Sequence, residues 1–396
     1  MKNNYKILYL TRWYPNRYDP MPGLFIRRHA EAVNRFCQVG VVYTYISEQE
    51  KIRGFDVDFD VINGIPTAKV YYNNPRYNIP VISGIVKGYR FFQAWHKGIK
   101  RVSKELGNFD LFHIHILTRP GIMALWYKWV HGKPYVVSEH WSRYLSETDN
   151  FKGWFRKRIT RLVVKNAETV ITVTQNLADA MQQHKLKNKN YRVLANVVTD
   201  DFLNDPIQKN PEEKKKSTFI HVSCFEDKSK NISGLLNMIR SMANKRNDFI
   251  FKLVGEGKDI NFLKQYARDI GLTEETVVFT GLLEGKNLVK EMASAGLLVV
   301  FSNYENFPVV INESFTLGIP VIATRVGGIP EFVNNSNGRL IDAGDEVALE
   351  KHLTDYLEGK LSFDNQKIRA ESHDIFSPEK IGRELCDIYS QCLTGQ

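Results

Sequence analysis

Residues 301–340 read FSNYENFPVVINESFTLGIPVIATRVGGIPEFVNNSNGRL, and their punctuation defines a strand, a loop, a helix and a second strand. An apolar run ends at Phe301, a loop carries Glu305, Pro308 suits the first helical position, and Gly318 stops the helix before the apolar run 320–324. Glu305 is thus predicted at the mouth of a helix and Glu313 inside it. With Pro308 opening the helix, Glu313 lies about 7.5 Å further along the axis. Two carboxylates so spaced can hold different parts of one extended ligand. The backbone N–H groups of Asn306, Phe307 and Val309 point the same way, as donors at a helix start do, while Pro308 has none to offer.

Working outward, short strand-like runs alternate with helical stretches through the whole chain. In the second half they fall at 219–223, 249–254, 276–280, 296–301 and 320–324, and in the first at 6–10, 39–45, 111–114 and 135–138. This alternation predicts an α/β protein with parallel sheets. At 396 residues the chain exceeds what one core ordinarily supports, so two doubly wound domains in series are expected. The polar, charged stretch 204–217, with two prolines, reads as the linker. The expected domains are therefore 1–203 and 218–376, with 377–396 forming a last helix after a Phe-Ser-Pro break. Such sheets take ligands beyond the carboxyl ends of their strands, which predicts a site in the cleft between the domains.

With these elements in place, residues 301–340 resemble the donor-binding region of the retaining family 4 glycosyltransferases. The matching residues are Glu305, Glu313, Gly318, Gly327, Gly328, Pro330 and Glu331. The resemblance implies the GT-B fold, with two Rossmann-like domains facing a cleft and a C-terminal helix crossing back to the first. It also implies roles. Glu305 and the amides of Asn306 and Phe307 would bind the donor sugar near the reacting carbon, and Glu313 the ribose hydroxyls. Residues 11–30, TRWYPNRYDPMPGLFIRRHA, resemble the family's first strand-to-helix loop, with Gly23 letting backbone amides approach the donor phosphates. The alternative for Gly23 is a plain Pro-Gly turn. His140, in Ser138-Glu139-His140, resembles the histidine that reaches the donor sugar.

A leaving nucleoside diphosphate needs positive charge. In 221–231, HVSCFEDKSKN, Lys230 matches the family's lysine, whereas Phe225 and Glu226 stand where its arginine would be, and Lys228 is the candidate replacement. The implied activity is a retaining, metal-independent, hexosyltransferase-type reaction. It would move sugar from a UDP- or GDP-sugar to a glycan or lipid-linked glycan acceptor in surface polysaccharide or glycolipid synthesis. No cofactor and no metal are expected. Two rivals remain: a GT-B sugar-nucleotide epimerase or hydrolase, and a non-catalytic glycan- or membrane-binding subunit.

Other features are weighed against plainer readings. VGEGK at 254–258 begins like a dinucleotide loop, but Ile260 stands where its third glycine would be. Asp56, Asp58 and Asp60 alternate with Val57, Phe59 and Val61, which predicts a half-buried strand rather than a metal site. The net charge of +10 resides in the first half, the second being acidic, so the first half faces an anionic partner. Lys87, Arg90, Lys97, Arg101 and Lys104 share one side of a helix opposite Phe91, Phe92, Trp95 and Ile99, and Trp154 joins the basic face of another. These faces are either solvated or docked on an anionic membrane. Nucleic acid is not expected, because no finger, helix-turn-helix or aromatic sheet signature is present. Cys37, Cys224, Cys386 and Cys392 lack zinc or redox spacing and are read as free thiols. With neither a signal sequence nor a spanning segment, the protein is expected to be cytoplasmic, either free or peripheral on the inner face of the cell membrane.

Overall fold

Each apolar run of the sequence becomes a strand of one of two sheets. The computed structural model describes residues 4–75, 79–148, 150–204 and 216–395. Most of the expected linker, 204–217, lies outside these. The chain folds as two compact units, one made of 1–173, 178–197 and 378–396, the other of 174–177 and 198–377. Residues 198–203, given to the first domain by the sequence reading, belong to the second. Their helix Asp200–Asn204 buries Phe202 and contacts other helices of that unit.

The first sheet contains β1 (Lys6–Thr11), β2 (Gln38–Ile46), β3 (Phe55–Ile62), β4 (Ile65–Tyr72), β5 (Leu111–His115), β6 (Tyr135–Glu139), β7 (Val170–Thr172) and β8 (Tyr191–Val193). Their order is β3-β4-β2-β1-β5-β6-β7-β8, and every pairing is parallel except β3 with β4. The second contains β9 (Ser217–Val222), β10 (Phe249–Val254), β11 (Val277–Gly281), β12 (Leu297–Val300), β13 (Val321–Thr324) and β14 (Gly338–Ile341), in the parallel order β11-β10-β9-β12-β13-β14. Both are doubly wound. The central strands are apolar on both faces because helices cover both sides, as a parallel sheet requires. β3, at an edge, alternates instead, with Asp56, Asp58 and Asp60 outward and Asp56 paired to Arg17 at 2.8 Å.

In each sheet the winding reverses once, between β1 and β5 in the first and between β9 and β12 in the second. These two switch points are where a doubly wound sheet opens a crevice at its carboxyl ends. The last helix, Pro378–Thr394, belongs to the first unit and lies along the helix Leu24–Asn34. There Cys37 and Cys386 are joined as a disulfide, with Cα atoms 6.7 Å apart. This corrects the reading of four free thiols. A separation of 349 residues gave no spacing signal, and only the packing of the last helix beside the segment between Leu24–Asn34 and β2 makes the pair. Cys224 and Cys392 are free.

The long helix Pro80–Leu106 packs Trp95, Ile99, Val102 and Leu106 against the first sheet. Much of its basic side is engaged rather than solvated. Arg90 donates to the Asn73 and Gly54 carbonyls at 2.8 and 2.7 Å, and Arg101 lies 3.3 Å over the Phe59 ring. Among the described residues no helix is long and apolar enough to cross a membrane.

Candidate active site

At the second switch point, loops leaving β9, β12 and β13 are fastened together. The loop after β9 makes one helical turn, Asp227–Lys230, closed by Asn231 in the left-handed region at φ 51°. Asp227 then caps the next helix by accepting from the Ser233 N–H and hydroxyl at 2.8 and 2.7 Å. The loop after β12 binds this turn: Asn303 donates its N–H to the Ser229 carbonyl at 2.8 Å and its amide to the Lys228 carbonyl at 3.1 Å. Successive residues of a helical turn are about 100° apart, so Lys228 and Lys230 face different ways. Lys228 is exposed, whereas Lys230 turns inward.

Lys230 forms an ion pair with Glu305, with only 15% and 11% of the two side chains exposed. Ser302 adds a hydrogen bond to the same carboxylate at 3.0 Å. Burial alone would depress the Lys230 ammonium, but Glu305 holds it above its ordinary value, so it stays charged at neutral pH. Two residues assigned separate tasks from the sequence are therefore one buried unit.

Glycine brings the third loop against this pair. Gly327 has φ 53°, and a Cβ there would stand 1.9 Å from the Glu305 carbonyl oxygen. Gly328 donates its N–H to the Asn306 carbonyl at 2.7 Å. Asn306 also accepts from the Thr174 hydroxyl at 3.1 Å, and Glu331 accepts from the Gln175 and Asn176 N–H groups at 2.7 Å each. The Gly-Gly-x-Pro-Glu stretch is thus a clasp on the Glu305 loop. Phe307 stacks on Phe332, ring centroids 4.1 Å apart, fixing where the chain enters the helix.

That helix, Val309–Thr316, begins one residue later than the sequence predicts. Pro308 is its extended cap residue at φ −72° and ψ 126°, because the chain must first leave the Glu305 loop in β conformation. Glu313 is inside the helix and only 4% exposed, which removes the reading of a solvated surface glutamate. The glycines of VGEGK also find their reason. Cβ atoms on Gly255 and Gly257 would collide with the backbone of Ser223 and Phe225 at 1.9 and 2.6 Å, so this loop serves close packing. Lys258 pairs with Glu226 at 2.5 Å, neutralising the acid that stands near the unmatched arginine position.

In the first unit, Gly23 caps the helix Leu24–Asn34 at φ 75°, and a Cβ would meet the Trp13 carbonyl carbon at 2.5 Å. A side chain is excluded on both counts, which goes beyond the needs of a plain turn. His140 follows β6, half-buried, its ring 4.5 Å from Phe25, 5.6 Å from His29 and stacked at 5.8 Å on His115. Burial first, and then the neighbouring His29 and His113, keep it well below the usual imidazole range. A neutral ring of this kind can offer one N–H donor. Glu139 beside it is fully buried and accepts from the N–H groups of Leu117, His140 and Trp141 at 3.0, 2.9 and 2.9 Å.

Comparison with known proteins agrees with this geometry. The family model described as Glycosyltransferase Family 4 matches residues 38–202, and the one described as Glycosyl transferases group 1 matches residues 204–373. The chain belongs to family 4 of the glycosyltransferases. It is 24% identical over 373 residues to the N-acetyl-alpha-D-glucosaminyl L-malate synthase of Bacillus anthracis, covering 89% of this chain and 94% of that one. Among solved structures, the sucrose-phosphate synthase from Thermosynechococcus elongatus superposes with a TM-score of 0.75 at 17% identity, over 99% of this chain and 100% of the other. Anabaena Alr3699/HepE in complex with UDP gives 0.72 at 19%, over 98% and 100%. At such identities the structures establish the fold, which is GT-B.

For this family 4 glycosyltransferase, sequence reasoning named Glu305, Lys230, Gly327 and Gly328, and the structure brings these four together. It missed Ser302 and Thr174, which orient Glu305 and Asn306. Ser302, three residues before Glu305 at a strand end, was within reach of local reasoning. Thr174 was not, being 132 residues from its partner.

Proposed function

We propose that this glycosyltransferase moves a sugar from a nucleoside diphosphate sugar to an acceptor hydroxyl with retention at the anomeric carbon and without a metal. One observation carries the reading: the buried Lys230–Glu305 pair at the second switch point, clasped by Gly327 and Gly328. Lys230 supplies a fixed positive charge for the departing diphosphate, whose developing charge otherwise raises the barrier. Glu305 and the backbone of Asn306 and Phe307 hold the donor sugar, and Glu313 holds the ribose. The acceptor hydroxyl attacks the face that the diphosphate leaves. The carbon–oxygen bond to the phosphate breaks, the new glycosidic bond forms, and a diphosphate oxygen takes the hydroxyl proton. No side chain needs to act as nucleophile, so the protein's contribution is positioning and charge. Gly23 and neutral His140 are the first unit's proposed contacts with the donor phosphate and sugar.

The acceptor is a glycan or lipid-linked glycan, the latter reading favoured by exposed apolar side chains on three helices of the first unit. Val81, Ile85 and Tyr89 on the helix Pro80–Leu106 are 71%, 67% and 64% exposed, and Trp129 and Trp154 are 60% and 72% exposed. Exposed aromatics beside a basic surface suit a membrane interface. In this reading the apolar contact is made by the start of that helix, whose Val81, Ile85 and Tyr89 are exposed.

Thermal unfolding with UDP-, GDP- and ADP-sugars tests the donor. UDP is the first candidate, since the Anabaena neighbour was crystallised with it. A bound donor at 100 times its dissociation constant adds about 2.7 kcal/mol. Glu313→Ala should abolish most of that shift, and no shift with any nucleotide sugar would overturn the proposal. Release of free sugar or a new sugar nucleotide without acceptor would instead favour a hydrolase or epimerase.

A further inference from the structure

The first sheet has its own switch point, between β1 and β5, and arginines surround it. Arg12 follows β1 directly, Arg119 opens the helix Arg119–His131 after β5, Arg143 sits in the short turn Ser142–Tyr144 after β6, and Arg156 lies in the helix Trp154–Asn166. All four line one cavity of about 240 Å³. Arg12 and Arg119 also line a neighbouring cavity of about 460 Å³ with Trp13, Tyr43 and Tyr45.

Among the described residues, none of the four makes an ion pair. Arg143 is only 8% exposed, and its Nε has no hydrogen-bond partner; the buried Nε of Arg12 has none either. The two guanidinium groups are nevertheless held in place. Arg143 lies 3.5 Å and Arg12 5.0 Å over the Trp141 ring, and Arg12 Nη1 donates to the Thr118 hydroxyl at 3.3 Å. Glu139 is the nearby acid, but its oxygens are taken by the Leu117, His140 and Trp141 N–H groups and the Tyr144 hydroxyl. Burial, and then Arg119 and Arg143, push the Arg12 guanidinium down to about 10. Arg12 and Arg143, desolvated and without an ion pair beside two further cations, cost stability unless an opposite charge joins them. Planar guanidinium forks match the oxygens of phosphate and carboxylate.

We propose that Arg12, Arg119, Arg143 and Arg156 form an oxyanion subsite of the first unit that holds an acidic group, phosphate or carboxylate, carried by the acceptor. The subsite rests on the reading of this unit as acceptor-binding. It gives the acceptor a chemical class: an acidic molecule whose charged group enters the arginine cavity, with the aromatic-lined cavity beside it for the rest. A neutral glycan would leave the arginines unanswered.

The test is calorimetric titration of pyrophosphate and of malonate into protein saturated with the nucleoside diphosphate that binds best, so that the donor site is filled. Wild type should bind at least one of the two probes. Arg143→Gln and Arg12→Gln should each weaken that binding by about tenfold, the scale of one charge-assisted hydrogen bond. Arg119→Gln and Arg156→Gln alter exposed side chains, so they keep the fold and still report a loss if a buried variant misfolds. All four should keep wild-type nucleotide affinity. Tighter pyrophosphate assigns a phosphate-bearing acceptor, and tighter malonate a carboxylate-bearing one. Failure of both probes to bind, or unchanged binding in Arg119→Gln and Arg156→Gln together with folded Arg143→Gln, overturns the subsite. If no nucleoside diphosphate binds, the donor reading fails separately, because the arginine variants still report on the anion in its absence.

Discussion

The two switch points present opposite treatments of charge. Beyond β9 and β12, Lys230 is answered by Glu305 in a buried pair, and the exposed Lys258 is answered by Glu226 at the surface. Beyond β1 and β5, four arginines converge on one cavity and the neighbouring carboxylate is committed to backbone N–H groups. The contrast separates two uses of a positive side chain. A paired lysine costs little to hold before the ligand arrives and is preorganised for charge that develops during reaction. An unpaired guanidinium is tuned to charge that its ligand brings already formed.

The sharpest way to break this contrast is to remove the paired cation. Lys230→Ala should lower turnover by roughly a hundredfold or more, the scale of losing one preorganised charge stabiliser. The substitution also strands the Glu305 carboxylate, 11% exposed, with Ser302 alone. The double variant Lys230→Ala, Glu305→Gln removes that stranded charge. Steady-state kinetics on both, with thermal unfolding to confirm that each is folded, separates lost catalysis from lost stability. Near wild-type transfer by Lys230→Ala to a confirmed acceptor would show that the diphosphate is stabilised elsewhere.

The same contrast explains what could be read in the sequence. Glu305, Glu313, Gly327 and Gly328 come from one β-loop-α-β passage, so their spacing survives in linear order and both the fold and the candidate site were legible there. Strand positions and the last helix also followed from local patterning. The arginines come from the ends of three different strands and a helix, at positions 12, 119, 143 and 156, and nothing in a linear pattern unites them. Equally hidden was the Lys230–Glu305 pair, 75 residues apart, although each member was named. The start of the helix at Val309 rather than Pro308 escaped because proline suits both the first helical position and the extended residue before it.

Acidity should distinguish the two units next. His29, His113 and His115 of the first unit are 3% exposed or less, and burial holds His29 at about 4 and the other two well below 6.5. In the second unit His221 alone is comparably buried, also at about 4. About one pH unit above 6.5 and higher, these rings are neutral whether folded or not and contribute no pH dependence. Between 6.5 and 4 the unfolded chain takes up protons that the folded one refuses, so stability falls with falling pH. Each such ring contributes at most about 1.4 kcal/mol per pH unit. All six tryptophans lie in the first unit, so their fluorescence reports on that unit. Its denaturant midpoint should fall more steeply between pH 6.5 and 4.5 than that of the remaining circular dichroism signal. Parallel loss would mean that the buried imidazoles do not set the difference.

The smallest expected effect concerns Lys228, and it tests whether facing, rather than charge alone, selects the diphosphate lysine. Lys228 and Lys230 share the turn Asp227–Lys230, so distance along the chain does not separate them. Direction does: two residues of a helical turn differ by about 200° around its axis. Lys230 is turned to the Glu305 loop, whereas Lys228 is exposed and gives only its backbone carbonyl to Asn303. An exposed ammonium acts through solvent and is screened by salt beyond about 8 Å at physiological ionic strength. Lys228→Ala should therefore change turnover less than about threefold, under 1 kcal/mol, and the change should shrink as salt rises. The Asn303 hydrogen bonds to the Ser229 and Lys228 carbonyls survive in the alanine variant, so the turn and Lys230 keep their places. A loss matching that of Lys230→Ala, and resistant to salt, would mean that this turn rearranges around the donor and that Lys228 supplies the charge of the unmatched arginine after all.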